Sequence, residues 1–224
     1  MRFYPISLDV KGKRVVIVGG GSVAARKADR LVQAGARITV VAPKVAKSLA
    51  DLADKGIICH VCRPFGPGDL AGARLAFAAT DDREVNRAVA EEARRTGIFV
   101  DVTDAPAESD FATPAVLQQG ELQITVSTAG ASPALSRRIV EQLQAEFGPE
   151  YAETVDLFRA VREKTLTVTG GAAYNKRVFA DLASRDLPAL IKNGRKDEIE
   201  QILLKLFGTG FSLDPERAEK KDPS

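Results

Sequence analysis

Residues 14–24 read Arg14-Val15-Val16-Ile17-Val18-Gly19-Gly20-Gly21-Ser22-Val23-Ala24, and this stretch decides the fold. The apolar run Arg14–Val18 has the length and composition of a strand buried on both faces, as in a parallel sheet. It ends on glycines. From Val23 to Gln33 the chain then returns Ala24, Ala28, Leu31 and Val32 to one helical face before Gly35 stops the helix. Strand, G-x-G-x-x-A turn and helix in that order are the signature of a dinucleotide-binding α/β unit. Gly19 permits the tight turn, Gly21 lets backbone approach a pyrophosphate, and Ala24 lets the helix lie close on the sheet. The first helical turn, with Ser22 and Val23, offers N–H groups and partial positive charge to phosphate.

Outward from this turn the chain keeps alternating. Ile38–Val41 reads as the second strand, Ala46–Asp54 as a helix closed by Gly56, Ile57–Cys62 as the third strand and Arg74–Ala79 as the fourth. Asp81 or Asp82 caps a helix that runs through Arg94 and stops before Gly97, and Ile98–Val102 is the fifth strand. Helices of this length between strands imply α/β architecture, a Rossmann-like doubly wound parallel sheet. After Asp104 the rhythm changes. Ala115–Gln118 and Gln123–Ser127 flank Gln119-Gly120-Glu121 as a hairpin. Ser132-Pro133, an N-cap followed by proline at the first helical position, starts a helix to about Phe147. The remainder is mostly helical. The expected organisation is a Rossmann-like domain (1–112), a hairpin-plus-helix dimerisation segment (113–148), a small helical C-terminal domain (149–213) and a frayed charged tail (214–224). The hairpin lies outside the alternation, so pairing with a twofold copy is expected.

The acidic residue that ordinarily ends the second strand and binds ribose hydroxyls is missing: the chain reads Val40-Val41-Ala42-Pro43-Lys44. Ribose contacts are therefore assigned to Ala42, Pro43 and Lys44. A basic cluster for a 2′-phosphate is also absent, which leans toward NAD over NADP without deciding it. The loop Ala78-Ala79-Thr80-Asp81-Asp82 follows the fourth strand at the carboxyl edge, near the nicotinamide position, and Thr80 is its candidate contact. Cys59 and Cys62 form C-x-x-C around His60, but on a half-buried strand residues three apart face opposite ways, so neither zinc nor thiol-redox chemistry is expected. No resident metal is expected. With 224 residues and a net charge of +2, no global field favours nucleic acid or membrane. No apolar run approaches the roughly 20 residues of a membrane span, and the start does not read as a secretory signal, so a cytoplasmic protein is expected.

The combination of Gly19-Gly20-Gly21-Ser22-Val23-Ala24-Ala25-Arg26-Lys27, Gly35–Pro43, Ala78-Ala79-Thr80-Asp81-Asp82 with Val85-Asn86, Val102-Thr103-Asp104-Ala105-Pro106, Phe111–Ala115 and Ser127-Thr128-Ala129-Gly130-Ala131-Ser132-Pro133 resembles the precorrin-2 dehydrogenase family of siroheme synthesis. It includes the N-terminal module of multifunctional siroheme synthases, and the resemblance is close over residues 1–150. It implies NAD-dependent oxidation of precorrin-2 to sirohydrochlorin, ferrous iron insertion in some members, and a homodimer built around the middle segment. No methyltransferase module is expected after the helical part. The family's important aspartate matches Asp104, and a family serine falls at Ser127 or Thr128.

Precorrin-2 is a reduced tetrapyrrole with eight carboxylates, and its oxidation removes a hydride and protons. The cofactor takes the hydride. Asp104 follows the fifth strand at the cofactor's edge of the sheet and is the candidate general base; an Asx-turn role before Ala105-Pro106 is the alternative. The substrate carboxylates are assigned to Ser127, Thr128, Gly130 and Ser132 at a helix start and to Arg137, with Arg138, Lys176 and Arg177 as further cations; a solvated helix face is the alternative for each cation. Two competing readings are a nucleotide-sensing regulatory module, which needs the glycine turn but no catalytic carboxylate, and an NAD dehydrogenase for another small molecule.

Overall fold

The computed structural model describes residues 3–167, 172–208 and 211. The chain forms two compact units, one running to Thr113 and including Ala129–Ala131, the other formed by Pro114–Thr128 and the chain from Ser132 on.

The first unit contains β1 (Arg14–Val18), α1 (Ser22–Gln33), β2 (Arg37–Val41), α2 (Lys47–Asp54), β3 (Cys59–Val61), β4 (Leu75–Ala78), α3 (Arg83–Thr96) and β5 (Phe99–Val102). All five strands are parallel, in the order β3-β2-β1-β4-β5. The chain begins in the middle of the sheet, steps outward to β3, and then crosses to the other side of β1. The strand order reverses between β1 and β4, and in such sheets ligands bind outside the carboxyl ends of the strands at that point.

Strand alternation divides the core in two. Val15, Ile17, Ile38, Val40 and Phe77 pack with Ala24, Ala28 and Leu31 of α1 and Leu49 of α2. Val16, Val18, Val41, Ala76, Ala78 and Val100 pack with Val89, Ala90 and Ala93 of α3. A largely buried ion pair ties α1 to the far edge of the sheet: Lys27 Nζ lies 2.5 Å from Asp101 Oδ2, 3.2 Å from Thr113 Oγ1, and over the Phe77 ring.

β3 is shorter than the expected Ile57–Cys62. The N–H groups of Ile57 and Ile58 are spent on Leu52 O at the end of α2, and Arg63 N turns back to Val61 O. Both cysteines are exposed, and Cys62 lies beyond the strand, which corrects the half-buried strand expected to hold both thiols. The β3–β4 connection is pinned from two sides. Asp69 accepts both guanidinium nitrogens of Arg63, at 2.7 and 2.6 Å, and the Gly66 N–H. The Glu92 carboxylate of α3 accepts the Gly68 and Leu70 N–H groups at 3.1 Å. The Arg63 hydrogen bonds, aided by that of Gly66 N–H, hold the Asp69 carboxyl below its ordinary range. Asp82, not Asp81, caps α3, accepting from Glu84 N and Val85 N, and the helix continues to Thr96 before left-handed Gly97.

The second unit contains β6 (Ala115–Gln119) and β7 (Leu122–Val126), then α4 (Pro133–Glu146), α5 (Glu150–Thr167), α6 (Ala172–Ala183), α7 (Leu187–Lys192) and α8 (Lys196–Phe207). Gln119 pairs with Leu122, leaving Gly120 and Glu121 as a two-residue hairpin loop. Gly120 has φ +57°, and a Cβ there would press on Ala152 of α5 at 2.9 Å. Gln119 Nε2 donates to Phe147 O. The hairpin, α4 and the C-terminal helices lie in one compact unit. Val161, Leu182, Leu187 and Leu203 form its buried core. The expected tail at 214–224 lies outside the described residues. No helix among the described residues is long and apolar enough to cross a membrane.

Candidate active site

A cleft of about 780 Å³ opens at the switch point of the sheet, within the range of cofactor sites. It is lined by the β1–α1 turn, by Ala42, Pro43 and Lys44 after β2, by Pro64 and Phe65 after β3, and by Thr80, Asp81 and Asp82 after β4. Of the residues expected at a cofactor, Gly19, Gly21, Ser22, Val23, Ala42, Pro43, Lys44 and Thr80 all line it. Ala24 does not: it is fully buried in the core beneath α1, where its small side chain serves helix–sheet packing.

The three glycines have different physical tasks. Gly19 has φ +121°, and a Cβ there would collide with the Ala79 carbonyl oxygen. A Cβ on Gly20 would collide with the Lys44 carbonyl, and Gly20 O accepts Ala46 N–H at 2.7 Å. Gly20 thus lets the β2–α2 loop pack against the turn, a role not evident from the motif. A Cβ on Gly21 would meet nothing within 4 Å. The space in front of Gly21 is cleft, and it suits a group that approaches the backbone closely.

Electrostatics agree with this. Gly21 caps α1 with an extended backbone and no side-chain hydrogen bond, and the first turn holds no acidic residue. The helix N-terminus therefore keeps its N–H donors and positive end for a ligand. At α3 the same positions are taken by Asp82. Among the described residues lining the cleft, Lys44 alone is cationic. Its segment is anchored by His60 Nε2, 2.9 Å from Ala42 O, and by the Cys62 thiol, which donates to Pro43 O. The donor set and the open approach fit a dinucleotide.

Asp104, just beyond β5, is connected to the cleft through a buried side chain. Asn86 of α3 donates to Asp104 Oδ1 at 2.9 Å. The same Asn86 accepts from Thr80 N and donates to Thr80 O, each at 3.1 Å. Arg83 Nε lies 3.9 Å from Asp104 Oδ2, while its terminal nitrogen pairs with Glu108. The Glu108 hydrogen bond holds the Arg83 guanidinium above its ordinary range.

In the second unit the Thr128 hydroxyl closes the turn before α4, accepting Ser132 N–H at 3.0 Å and lying 3.2 Å from Ser132 O. The Ser132 side chain in turn accepts Leu135 N–H as N-cap. Gly130 has φ +88°, as the turn between them demands. Ser127 and Arg137 are exposed, as are Lys176 and Arg177 on α6, and Arg138 faces Glu141 at 3.5 Å.

Residues 6–115 match the family model described as "Putative NAD(P)-binding", and residues 119–146 match "Sirohaem biosynthesis protein central". A solved structure titled "SirC, precorrin-2 dehydrogenase" superposes with a TM-score of 0.73 at 27% identity, covering 89% of this chain and 98% of that one. The chain belongs to the precorrin-2 dehydrogenase family of siroheme synthesis. Siroheme synthase of Chromobacterium violaceum is 42% identical over 165 residues, 69% of this chain and 35% of the relative. That of Methylococcus capsulatus is 35% identical over 205 residues, 92% of this chain and 43% of the relative. The chain thus spans less than half the length of these two curated relatives. The residues lining the cleft all fall within the segment that matches the NAD(P)-binding model. Pro64, Phe65 and Asn86 are the site residues that sequence reasoning did not assign. The position of Pro64-Phe65 at the carboxyl end of the third strand was the available signal for the first two; for Asn86 it was the spacing, three, four and seven residues before Val89, Ala90 and Ala93, which puts it on the buried face of α3.

Proposed function

We propose that this chain oxidises precorrin-2 to sirohydrochlorin with NAD as hydride acceptor. The observation that carries this reading is a carboxylate, Asp104, tied through one buried amide to the loop that lines a cleft whose helix N-terminus is uncapped. The similarity to SirC, over nearly all of that chain, supports the substrate.

The α1 N-terminus, with Ser22 and Val23, would receive the pyrophosphate. Ala42, Pro43 and Lys44 would meet the adenosine ribose, and the half-buried Phe65 offers a ring to the adenine. Lys44 is the one cation among the described residues lining the cleft, so no basic cluster awaits a 2′-phosphate, which favours NAD over NADP. Bound NAD supplies the hydride acceptor. The reaction removes one hydride and one proton from the tetrapyrrole, giving sirohydrochlorin, NADH and a proton. Asp104 would take that proton. Ser127, Thr128, Gly130, Ser132 and Arg137 would bind the substrate's carboxylates through N–H, hydroxyl and guanidinium donors. A homodimer joined through the hairpin segment and a cytoplasmic location complete the reading. Ferrous iron insertion into the product is a second activity for the same carboxylate, which would take pyrrole protons as the metal enters.

Steady-state oxidation by Asp104→Ala is the test. The expected result is a loss of kcat of about 10²-fold or more with NADH binding retained. Oxidation at the wild-type rate removes Asp104 from the chemistry. Failure of the wild-type chain itself to turn over, with NADH still bound, would favour a nucleotide-sensing module.

A further inference from the structure

Asn86 is a fully buried side chain with polar partners on both ends of its amide. Its Oδ1 accepts Thr80 N–H at 3.1 Å and lies 2.7 Å from the Thr80 hydroxyl. Its Nδ2 donates to Thr80 O at 3.1 Å and to Asp104 Oδ1 at 2.9 Å. The amide has no freedom to flip. A backbone N–H can only donate and a backbone carbonyl can only accept, so the oxygen must face Thr80 N and the nitrogen Thr80 O. The remaining N–H then points at Asp104. The carboxylate itself is more than a third exposed, and its other neighbour, Arg83, is 3.9 Å away, 44% exposed and engaged by Glu108. Asn86 is the short, buried contact.

We propose that Asn86 is a positioning residue for the oxidation: it fixes Asp104 relative to the cofactor cleft by joining it to Thr80 of the cleft wall. The proposal rests on the reading of Asp104 as proton acceptor. A side chain left on a half-exposed turn samples several rotamers, and a misplacement of about 1 Å at a reacting group costs on the order of 10²-fold in rate. Asn86 removes that freedom without touching the substrate. The pair Thr80–Asn86 also keeps the loop after β4 in one conformation, so cofactor and base share one reference point.

The test is a double-mutant cycle on the full chain, with NAD and precorrin-2, using N86A, D104A and the double variant. Each is checked for its melting transition and its NADH affinity. The expected outcome is a fall in kcat of about tenfold or more for N86A, and a change below about twofold for the same replacement in the D104A background. An equal fall in both backgrounds, or wild-type kcat in folded N86A, overturns the positioning role.

If N86A does not fold, N86D keeps the shape and still accepts from Thr80 N, but sets a second carboxylate against Asp104. Arg83 of α3 and Glu108 of the Pro106–Glu108 turn are the other charged groups beside this pair. Two carboxylates in contact resist joint ionisation. The acid limb of the kcat–pH profile then moves to higher pH, by about one unit or more; an unmoved limb overturns the proposal. Wild-type turnover by D104A overturns the proton-acceptor reading and the positioning role with it. An inactive D104A beside an unimpaired, folded N86A overturns the positioning role alone.

Discussion

Replacing Gly20 or Gly21 by alanine adds the same methyl group to adjacent residues, yet the two positions answer to different parts of the physics. At Gly20 the new Cβ collides with the Lys44 carbonyl oxygen and lies 2.9 Å from the Val45 Cα. These are backbone atoms, and the Gly20 carbonyl is itself bonded to Ala46 N–H, so relief requires shifting the β2–α2 loop. Overpacking of this kind costs about 1–3 kcal/mol, and an obstacle made of backbone places G20A near the top of that range. In a unit of this size the loss lowers Tm by roughly 10 °C. At Gly21 the backbone is extended, with φ −81°, and the added Cβ meets nothing within 4 Å. Only the cap changes, at a cost below about 1 kcal/mol. The methyl does, however, enter the space through which phosphate approaches the α1 N–H groups. Losing one charge-assisted hydrogen bond there removes about 1.5–3 kcal/mol, a tenfold to hundredfold weaker Kd. Thermal melts of the apo chain and calorimetric titration with NADH separate the two effects. Wild-type affinity in G21A would refute the phosphate assignment, and an unchanged melt in G20A would refute the packing assignment.

Three further outcomes are expected. Phe65→Ala weakens NADH binding by roughly tenfold, the lower part of the 1–3 kcal/mol typical of base–aromatic stacking; equal affinity in calorimetry rules out a role for the ring. Asp69→Asn makes stability depend differently on acid. The Asp69 carboxyl is held low by the Arg63 hydrogen bonds, so its contribution is present above the unfolded value near 3.9 and is lost as pH falls through the lower folded value. The gap in urea midpoint between wild type and D69N should therefore be constant above about pH 5 and close in stronger acid; a gap that persists there contradicts the linkage. Lys27→Ala removes the cation from Asp101 and leaves it the Thr113 hydroxyl, and should destabilise the fold by about 3 kcal/mol, the lower end for breaking a buried pair, read from urea denaturation; a loss under about 1 kcal/mol would mean that water reaches the pair.

The parallel sheet was legible because its signals are local: the run Arg14–Val18, the glycines after it, and the helical return of Ala24, Ala28 and Leu31. The contacts on the cleft wall followed from topology, since every strand points its carboxyl end to the same edge. Three features were not legible, and each depends on a particular contact that no local pattern of residue types encodes. The β3 strand shortened because Leu52 O captures the N–H groups of Ile57 and Ile58. Gly20 appeared to be the free position of the motif, but the Lys44 backbone lies against it. Asn86 falls by spacing on the apolar face of α3 with Val89, Ala90 and Ala93, but its partners Thr80 and Asp104 are brought to it only by the ends of β4 and β5. Another contact with no local signature is that of Gly120 in the hairpin loop with Ala152 of α5, on the far side of Gly148-Pro149.

The most direct measurement of the central claim is a single incubation of the wild-type chain with precorrin-2 and NAD under anaerobic conditions, following NADH absorbance and the sirohydrochlorin spectrum together. The account predicts that both rise in step, with one NADH formed for each sirohydrochlorin, and that neither rises with D104A at a comparable rate. Binding of NAD without any NADH formed from precorrin-2 would contradict it.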